Sequence, residues 1–253
     1  MRLGGHTSLV AVGNDEIEEF NEEEAVENYN LKLFLTRDGY LKKISHVALR
    51  TSGEQKLKDG DVMVGEYDTE NISQMVVFTD QCNAYKLKTS DFPDGKASQL
   101  GEYLPSFLQM EQDEHVVGMA VTMDFSGNML FCFKNGKMTK TPLSGYQTKT
   151  NRKKLTNAFA EASPIVAVIQ LPQEKDLVAI STADRIMAFN TELVSLKTTR
   201  NSQGLTVMTL KKGAELKAVI DAEKFETENI GYYKTKKIPS TGCFSKDRQT
   251  SLF

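Results

Sequence analysis

A twelve-residue phrase returns four times along this chain, and it limits the fold more than any other feature. It reads Leu33-Phe-Leu-Thr-Arg-Asp-Gly-Tyr-Leu-Lys-Lys-Ile44, then Val76-Val-Phe-Thr-Asp-Gln-Cys-Asn-Ala-Tyr-Lys-Leu87, then Leu130-Phe-Cys-Phe-Lys-Asn-Gly-Lys-Met-Thr-Lys-Thr141. A weaker fourth copy is Val178-Ala-Ile-Ser-Thr-Ala-Asp-Arg-Ile-Met-Ala-Phe189. Each copy reads as an apolar strand, a tight turn and a second strand that carries basic residues. The turn positions Gly39, Cys82, Gly136 and Asp184 lie 43, 54 and 48 residues apart. That spacing belongs to an array or propeller rather than to one wound sheet.

A second mark recurs with nearly the same period. Gly60-Asp-Val-Met-Val-Gly65 resembles Asp113-Glu-His-Val-Val-Gly118, with fainter echoes at Ser163-Pro-Ile-Val-Ala167 and Gly213-Ala-Glu-Leu-Lys-Ala218. Residues Gly65, Gly118, Ala167 and Ala218 are 53, 49 and 51 apart. Further strands are expected at 75–79, 116–122, 129–133, 165–171, 177–181, 205–210 and 216–221, all short and separated by turn signals. The turns at Cys82 and Asp184 lack glycine, so irregular hairpins are expected in the second and fourth units. No long window has helical periodicity. The fold class is therefore all-β, with four clear repeats. Residues 222–253 turn polar; Gly231-Tyr-Tyr-Lys-Thr-Lys-Lys-Ile-Pro239 echoes the basic strand without an apolar strand before it. That end reads as a polar tail or a degenerate last repeat.

Charge divides the chain. Residues 1–30 hold eight acids and one base, Arg2, and form an acidic lead or linker ahead of the body at 31–221. The remainder holds 30 bases against 26 acids, a modest excess that is compatible with a polyanion partner. Leu9-Val-Ala-Val12 is too short for the apolar core of a signal peptide, and no apolar stretch is long enough for a membrane span. A cytoplasmic location and no membrane partner are the expectation. Three cysteines without a Cys-x-x-Cys pair, and three scattered histidines, speak against a disulfide framework and a metal site. Cys82 and Cys132 are expected as core thiols. No P-loop, nucleophile elbow or His-Glu-x-x-His occurs, so neither catalytic residues nor a cofactor are expected.

The repeats carry a resemblance. The acidic lead followed by Leu33–Ile44, and the stretch from Leu130 with Asn135-Gly136, Lys140-Thr-Pro-Leu-Ser144 and Tyr146, resemble the C-terminal domain of the A subunit of bacterial type IIA topoisomerases, gyrase and topoisomerase IV. The likeness covers about 15–221. It implies a β-pinwheel, a propeller-like ring of four-stranded blades whose basic outer rim binds and bends duplex DNA. It also implies nucleoid association and two protein partners, the same A subunit's catalytic core and the ATPase B subunit. In that family the cleaving tyrosine lies in another part of the subunit, directly after an arginine. None of the eight tyrosines here follows an arginine, so the fragment itself is not expected to be an enzyme, and Met1 is expected to begin a fragment of a longer subunit. Gyrases carry a Gln-Arg-Arg-Gly-Gly-Lys-Gly box in the first blade. Here the stretch reads Leu49-Arg-Thr-Ser-Gly-Glu-Gln-Lys56, which points to a topoisomerase IV-like domain that holds DNA without strong wrapping. The alternatives are a gyrase domain that wraps DNA and a propeller-type protein-interaction platform.

Non-specific DNA binding needs cations spaced to meet phosphates along a path. The candidates recur at like places in successive units: Lys42, Lys43, Arg50 and Lys56; Lys86 and Lys88; Lys137, Lys140, Lys149, Arg152, Lys153 and Lys154; Arg185, Lys197 and Arg200. Tyr40, Tyr85 and Tyr146 are expected to pack on their own blades with the hydroxyl at the surface. His46 is expected to be solvated.

Overall fold

In the computed structural model, the residues described are 26–148, 153–161 and 163–246. The chain runs β1 (Asn30–Thr36), β2 (Tyr40–Ser45), α1 (His46–Leu49), β3 (Met63–Glu70), β4 (Gln74–Thr79), β5 (Ala84–Lys88), β6 (Glu102–Tyr103), α2 (Leu104–Phe107), β7 (Val116–Thr122), β8 (Asn128–Phe133) and β9 (Lys137–Pro142). It continues through β10 (Lys154–Leu155), β11 (Ile165–Leu171), β12 (Asp176–Ser181), β13 (Arg185–Asn190), β14 (Leu205–Thr206), β15 (Leu216–Asp221), α3 (Ile230–Tyr233) and β16 (Cys243–Phe244). The strands form four antiparallel sheets of four, ordered β3-β1-β2-β6, β10-β5-β4-β7, β11-β8-β9-β14 and β15-β12-β13-β16. These are the blades of a propeller-like ring, and the inner strands β3, β7, β11 and β15 pack side by side in that order.

The order of strands reveals an exchange. Each unit supplies a hairpin and an inner strand to its own blade. Between them, units two to four send a connection outward to complete the blade before: β6 follows β5 of blade 2 in sequence but pairs with β2 of blade 1. Strands β10 and β14 do the same for blades 2 and 3. Blade 4 takes its fourth strand from the polar end of the chain, where Cys243–Phe244 pair with Arg185–Ile186.

The four hairpins share one register. Leu35 faces Leu41, Phe78 faces Ala84, Cys132 faces Met138 and Ile180 faces Ile186. The turn residues Gly39, Cys82, Gly136 and Asp184 all take left-handed φ, at +89°, +56°, +78° and +53°. Cys82 and Asp184 thus accept a conformation that favours glycine, and the irregular hairpins expected from their lack of glycine do not occur. Each turn is held from behind by the segment entering the inner strand. Arg37, Asp80, Lys134 and Thr182 donate backbone N–H groups to Val62, His115, Pro164 and Glu215. A register shift sits at that point in all four inner strands. The recurrence of Gly60–Gly65 at 113–118 is the sequence trace of this brace.

Alternation along the hairpins builds the cores between blades. Leu31, Leu33 and Leu35 turn toward Met75, Val77, Leu87 and Met119 of blade 2. Blades 2 and 3 meet through Phe78, Phe131, Tyr146 and Phe159, whose rings contact edge-on, tilted or stacked at 5.0–6.3 Å between centroids. Blades 3 and 4 meet through Leu130, Met187, Phe189 and Leu216. Cys82 and Cys132 are core thiols as expected, and burial pushes Cys82 up to about 11. The two outward faces of the array are capped separately: Phe34 and Ile44 by Leu49, Met63 and Ala97; Val178, Ile186 and Ala188 by Tyr233, Phe225 and Ile230 of the polar end.

The expected strand at 205–210 is only Leu205–Thr206. Beyond it Val207 and Met208 donate to the carbonyl of Gly136, which bends the segment out of the sheet. The long strand β3 and the two-residue outer strands were not expected individually. A signal for the outer strands does exist. Gly101, Gly204 and Gly242 each stand one residue before one, at φ +95°, +67° and +67°. A Cβ there would lie 2.4, 2.1 and 2.6 Å from the carbonyl oxygens of Leu41, Met138 and Ile186, equivalent residues of the third strands.

Candidate nucleic-acid interface

The expected basic residues fall into two chemical groups. Lys42, Lys43 and Lys140 are buried, with relative exposures of 1 %, 5 % and 4 %. Lys42 Nζ donates to the carbonyls of Lys56 (2.9 Å) and Ala97 (3.3 Å), and burial pushes its ammonium below the ordinary lysine value. Lys43 Nζ donates to Phe92 O at 2.9 Å and lies 3.3 Å from Asp94. Lys140 Nζ meets Glu174 at 2.6 Å and Thr191 O at 3.0 Å. These three are removed from the phosphate-facing set expected from the sequence. A buried ammonium must satisfy its donors internally, and these do so on backbone oxygens, joined for Lys43 and Lys140 by a carboxylate.

Their positions explain why they recur. Lys43, Lys86 and Lys140 occupy the same register after the turn. Each reaches into the connection that the next unit sends outward, Lys86 through Thr148 O (3.3 Å) and Oγ1 (2.9 Å). The backbone joins at the same place, where Gly95, Lys197 and Thr235 donate to the carbonyls of Lys43, Lys140 and Ala188. The lysine therefore ties the exchanged segment to the blade it completes. In blade 4 the position is Ala188, which packs in one cluster with Tyr233.

The other residues remain at the surface. Arg50, Lys56, Lys88, Lys153 and Lys154 are exposed, and Lys137, Arg185, Lys197 and Arg200 are half-buried. Lys88, Lys137, Lys153, Lys154, Arg185, Lys197 and Arg200 lie on third strands, outer strands or the connections between them, the outer half of each blade, whereas Arg50 and Lys56 lie in the connection from β2 to β3. Lys149 and Arg152 lie outside the described residues. Among the described residues Arg50, Lys56, Lys88, Lys137, Lys153 and Lys197 have no ion pair, whereas Lys32, Lys58, Lys134, Lys175 and Lys234 are paired with carboxylates. The inner strand of blade 1, by contrast, carries Glu66, Asp68 and Glu70. Positive charge is thus left free on the outer half. His46 Nε2 lies 3.0 Å from Asp68 rather than facing solvent alone. Tyr85 and Tyr146 are buried, and their hydroxyls donate inward to Glu114 (3.0 Å) and Ala158 O (2.7 Å), not to the surface as expected. Tyr40 packs on Tyr103 with ring centroids 5.0 Å apart.

Glu114 anchors the basic edge of blade 2. Burial opposes its charged form, but hydrogen bonds from Thr79, Asn83, Tyr85 and the Glu111 N–H outweigh that and hold the carboxyl below the ordinary glutamate value of 4.5. Lys154 Nζ lies 4.0 Å from it and 5.4 Å from the centre of the Tyr85 ring. A depressed folded pKa gives stability that is present above the unfolded value and lost as pH falls through the folded one. Glu114→Gln is expected to flatten the fall of melting temperature below about pH 4.3, the unfolded glutamate range. Thermal melts of both chains from neutral pH into acid test this; parallel acid limbs would refute it.

Among the described residues no group of acids, histidines and cysteines could hold a metal ion, and no helix is long and apolar enough to cross a membrane. No protein-family model matches the chain. It is 25 % identical over 189 residues to the DNA gyrase A subunit of Mycoplasma pneumoniae, covering 70 % of this chain and 22 % of that protein. It is 24 % identical over 193 residues to the DNA topoisomerase 4 A subunit of Staphylococcus aureus, covering 74 % and 24 %. The chain thus spans under a quarter of these curated relatives. Among solved structures, it resembles the C-terminal domain of a DNA topoisomerase IV with TM-score 0.65 and 22 % identity, covering 77 % of this chain and 61 % of that one. It resembles the Escherichia coli ParC C-terminal domain with TM-score 0.57 and 14 % identity, covering 76 % and 78 %. The chain is accordingly a homologue of the A subunits of gyrase and topoisomerase IV, built on the β-pinwheel fold of their C-terminal domains.

Proposed function

We propose that this domain binds duplex DNA without base specificity on the outer half of its blades, and so sets the topological preference of a parent type IIA topoisomerase. The observation that carries the reading is the set of cations on successive blades that have no ion pair among the described residues, Arg50, Lys56, Lys88, Lys137, Lys153 and Lys197. Cations spaced around a curved edge favour a bent path. A modest arc costs about 1–6 kcal/mol, which several phosphate contacts offset. No recognition helix is present among the described residues, whose helices are four residues long, so base readout has no vehicle. Cleavage and ATP hydrolysis belong, on this reading, to the A subunit's catalytic core and to the B subunit.

The preference is topoisomerase IV-like. Where a gyrase has its box, Arg50 and Lys56 are exposed, but Glu54 lies between them and Lys42 ties the Lys56 carbonyl to the blade. Binding to relaxed plasmid across a salt series, followed by relaxation with a type I topoisomerase, tests the reading. Expected are a steep loss of affinity with salt and little trapped linking difference. A large linking change of one sign would mean gyrase-like wrapping. Absence of binding at low salt would overturn DNA binding in favour of a protein-interaction platform.

A further inference from the structure

Blade 4 ends in an edge unlike the other three. At its outer strand Phe244 is 54 % exposed, and the Arg185 guanidinium lies on its ring with Cζ 3.8 Å from the centroid. Lys211 Nζ approaches the same ring at 5.6 Å. Around the strand, Tyr232 is 37 % exposed and carries Lys246 Nζ 3.7 Å from its ring centre. Cys243 Sγ to Tyr232 O at 3.5 Å and the Lys246 N–H to Tyr233 OH at 3.0 Å fix these groups to one another. The matching rim pair is Tyr40 with Tyr103 in blade 1 and Lys137 with Thr206 in blade 3, so the joining of cation and exposed ring at this position belongs to blade 4. The Arg185 side chain is not fully used: Nη1 donates to Gly242 O at 3.0 Å, while Nε is buried and has no hydrogen-bond partner among the described residues.

We infer that this edge, formed by Arg185, Lys211, Tyr232, Phe244 and Lys246, binds single-stranded nucleic acid. The inference goes beyond duplex binding by the outer half of the blades. Exposed rings add nothing for an intact duplex, whose bases are stacked on one another behind the backbone. An unpaired strand offers free base faces to Phe244 and Tyr232, and phosphates to the lysines beside them. An acidic peptide fits less well. The flat Arg185 group is turned onto a ring and a carbonyl, so it presents a stacking plane and not the open fork that a carboxylate takes up.

The experiment is fluorescence anisotropy on the whole chain with two probes of equal length, a labelled oligothymidylate of about 20 nucleotides and a duplex. Replacement of one stacking ring weakens single-strand binding by about tenfold. The double variant Phe244→Leu, Tyr232→Leu is therefore expected to lose about a hundredfold for oligothymidylate and less than twofold for duplex. Lys211→Gln with Lys246→Gln keeps both rings and should weaken oligothymidylate through charge alone. Failure of the intact chain to bind oligothymidylate, equal weakening of both probes, or equally strong competition by polyglutamate would overturn the inference. Photocrosslinking of the intact chain to 5-iodouracil-bearing oligothymidylate tests the site without any substitution. Adducts on Phe244 or Tyr232 support it, and adducts confined to other blades refute it.

Discussion

A chain ending after Asp221 is expected to lose blade 4 as a folded unit. The residues removed look dispensable in the sequence, being polar and irregular, yet they supply the fourth strand of the last blade. They also cover Val178, Ile186 and Ala188 with Tyr233, which is only 3 % exposed. Without them three strands remain in the blade and an apolar sheet face meets water. In an array of repeats, stability is close to a sum of unit and neighbour terms, so melting should begin at the damaged end. A milder variant grades the effect. Tyr233→Ala removes a buried aromatic side chain at a cost of about 3 kcal/mol. For a domain of this size that lowers the melting temperature by roughly 6–12 °C. Calorimetry of the truncated chain, the Tyr233→Ala chain and the intact chain provides the test. An intact-like melt for the truncated chain would show that the polar end contributes nothing to blade 4.

The second large effect separates lysines that hold the fold from lysines available to DNA. Lys43→Met and Lys140→Met each remove a buried ammonium and leave Asp94 or Glu174, with a backbone carbonyl, short of a partner. Stranding a buried partner costs about 3–5 kcal/mol where both groups are dry. Asp94 and Glu174 reach solvent, so about 2 kcal/mol each is the expected loss. The two lysines sit in different blades, so the losses add to about 4 kcal/mol, with a fall of roughly 8–16 °C in melting temperature. The salt dependence of DNA binding at low temperature should not change. The reverse holds for Arg50→Gln, Lys88→Gln and Lys153→Gln together. These exposed residues have no carboxylate partner among the described residues, so melting should stay within a degree or two while the slope of log affinity against log salt falls by about 3. If the buried pair changed the slope and the exposed trio did not, the division of the lysines would be wrong.

Much of this molecule is legible in its sequence, because period and alternation are both local. The four hairpins, the braces before the inner strands and the all-β class follow from short phrases that repeat. The partners of those phrases are less legible. Lys43 and Lys140 look like surface cations since each stands among polar neighbours in a basic strand. Only the exchange of outer strands places a carbonyl from another unit over each ammonium, and exchange is a long-range event with a faint local trace. That trace, a glycine before each outer strand at 101, 204 and 242, is missing in blade 2, where Lys153 takes the place. The polar end reads only as a polar tail or a degenerate last repeat for the same reason. It is the outgoing connection of a fifth unit without the hairpin that makes a unit recognisable. Tyr85 and Tyr146 differ, since their hydroxyls find acceptors within their own units, on Glu114 and on Ala158 O.

The exchange also gives the array a direction of growth. A unit copied whole, hairpin with outgoing connection and inner strand, can be added between existing units, because it meets the same junction on either side. The segment that completes blade 4 is different, since among the described residues it brings no hairpin of its own. Whole units can therefore be inserted ahead of it without disturbing the junction it makes, and blade number can drift between the first hairpin and this segment.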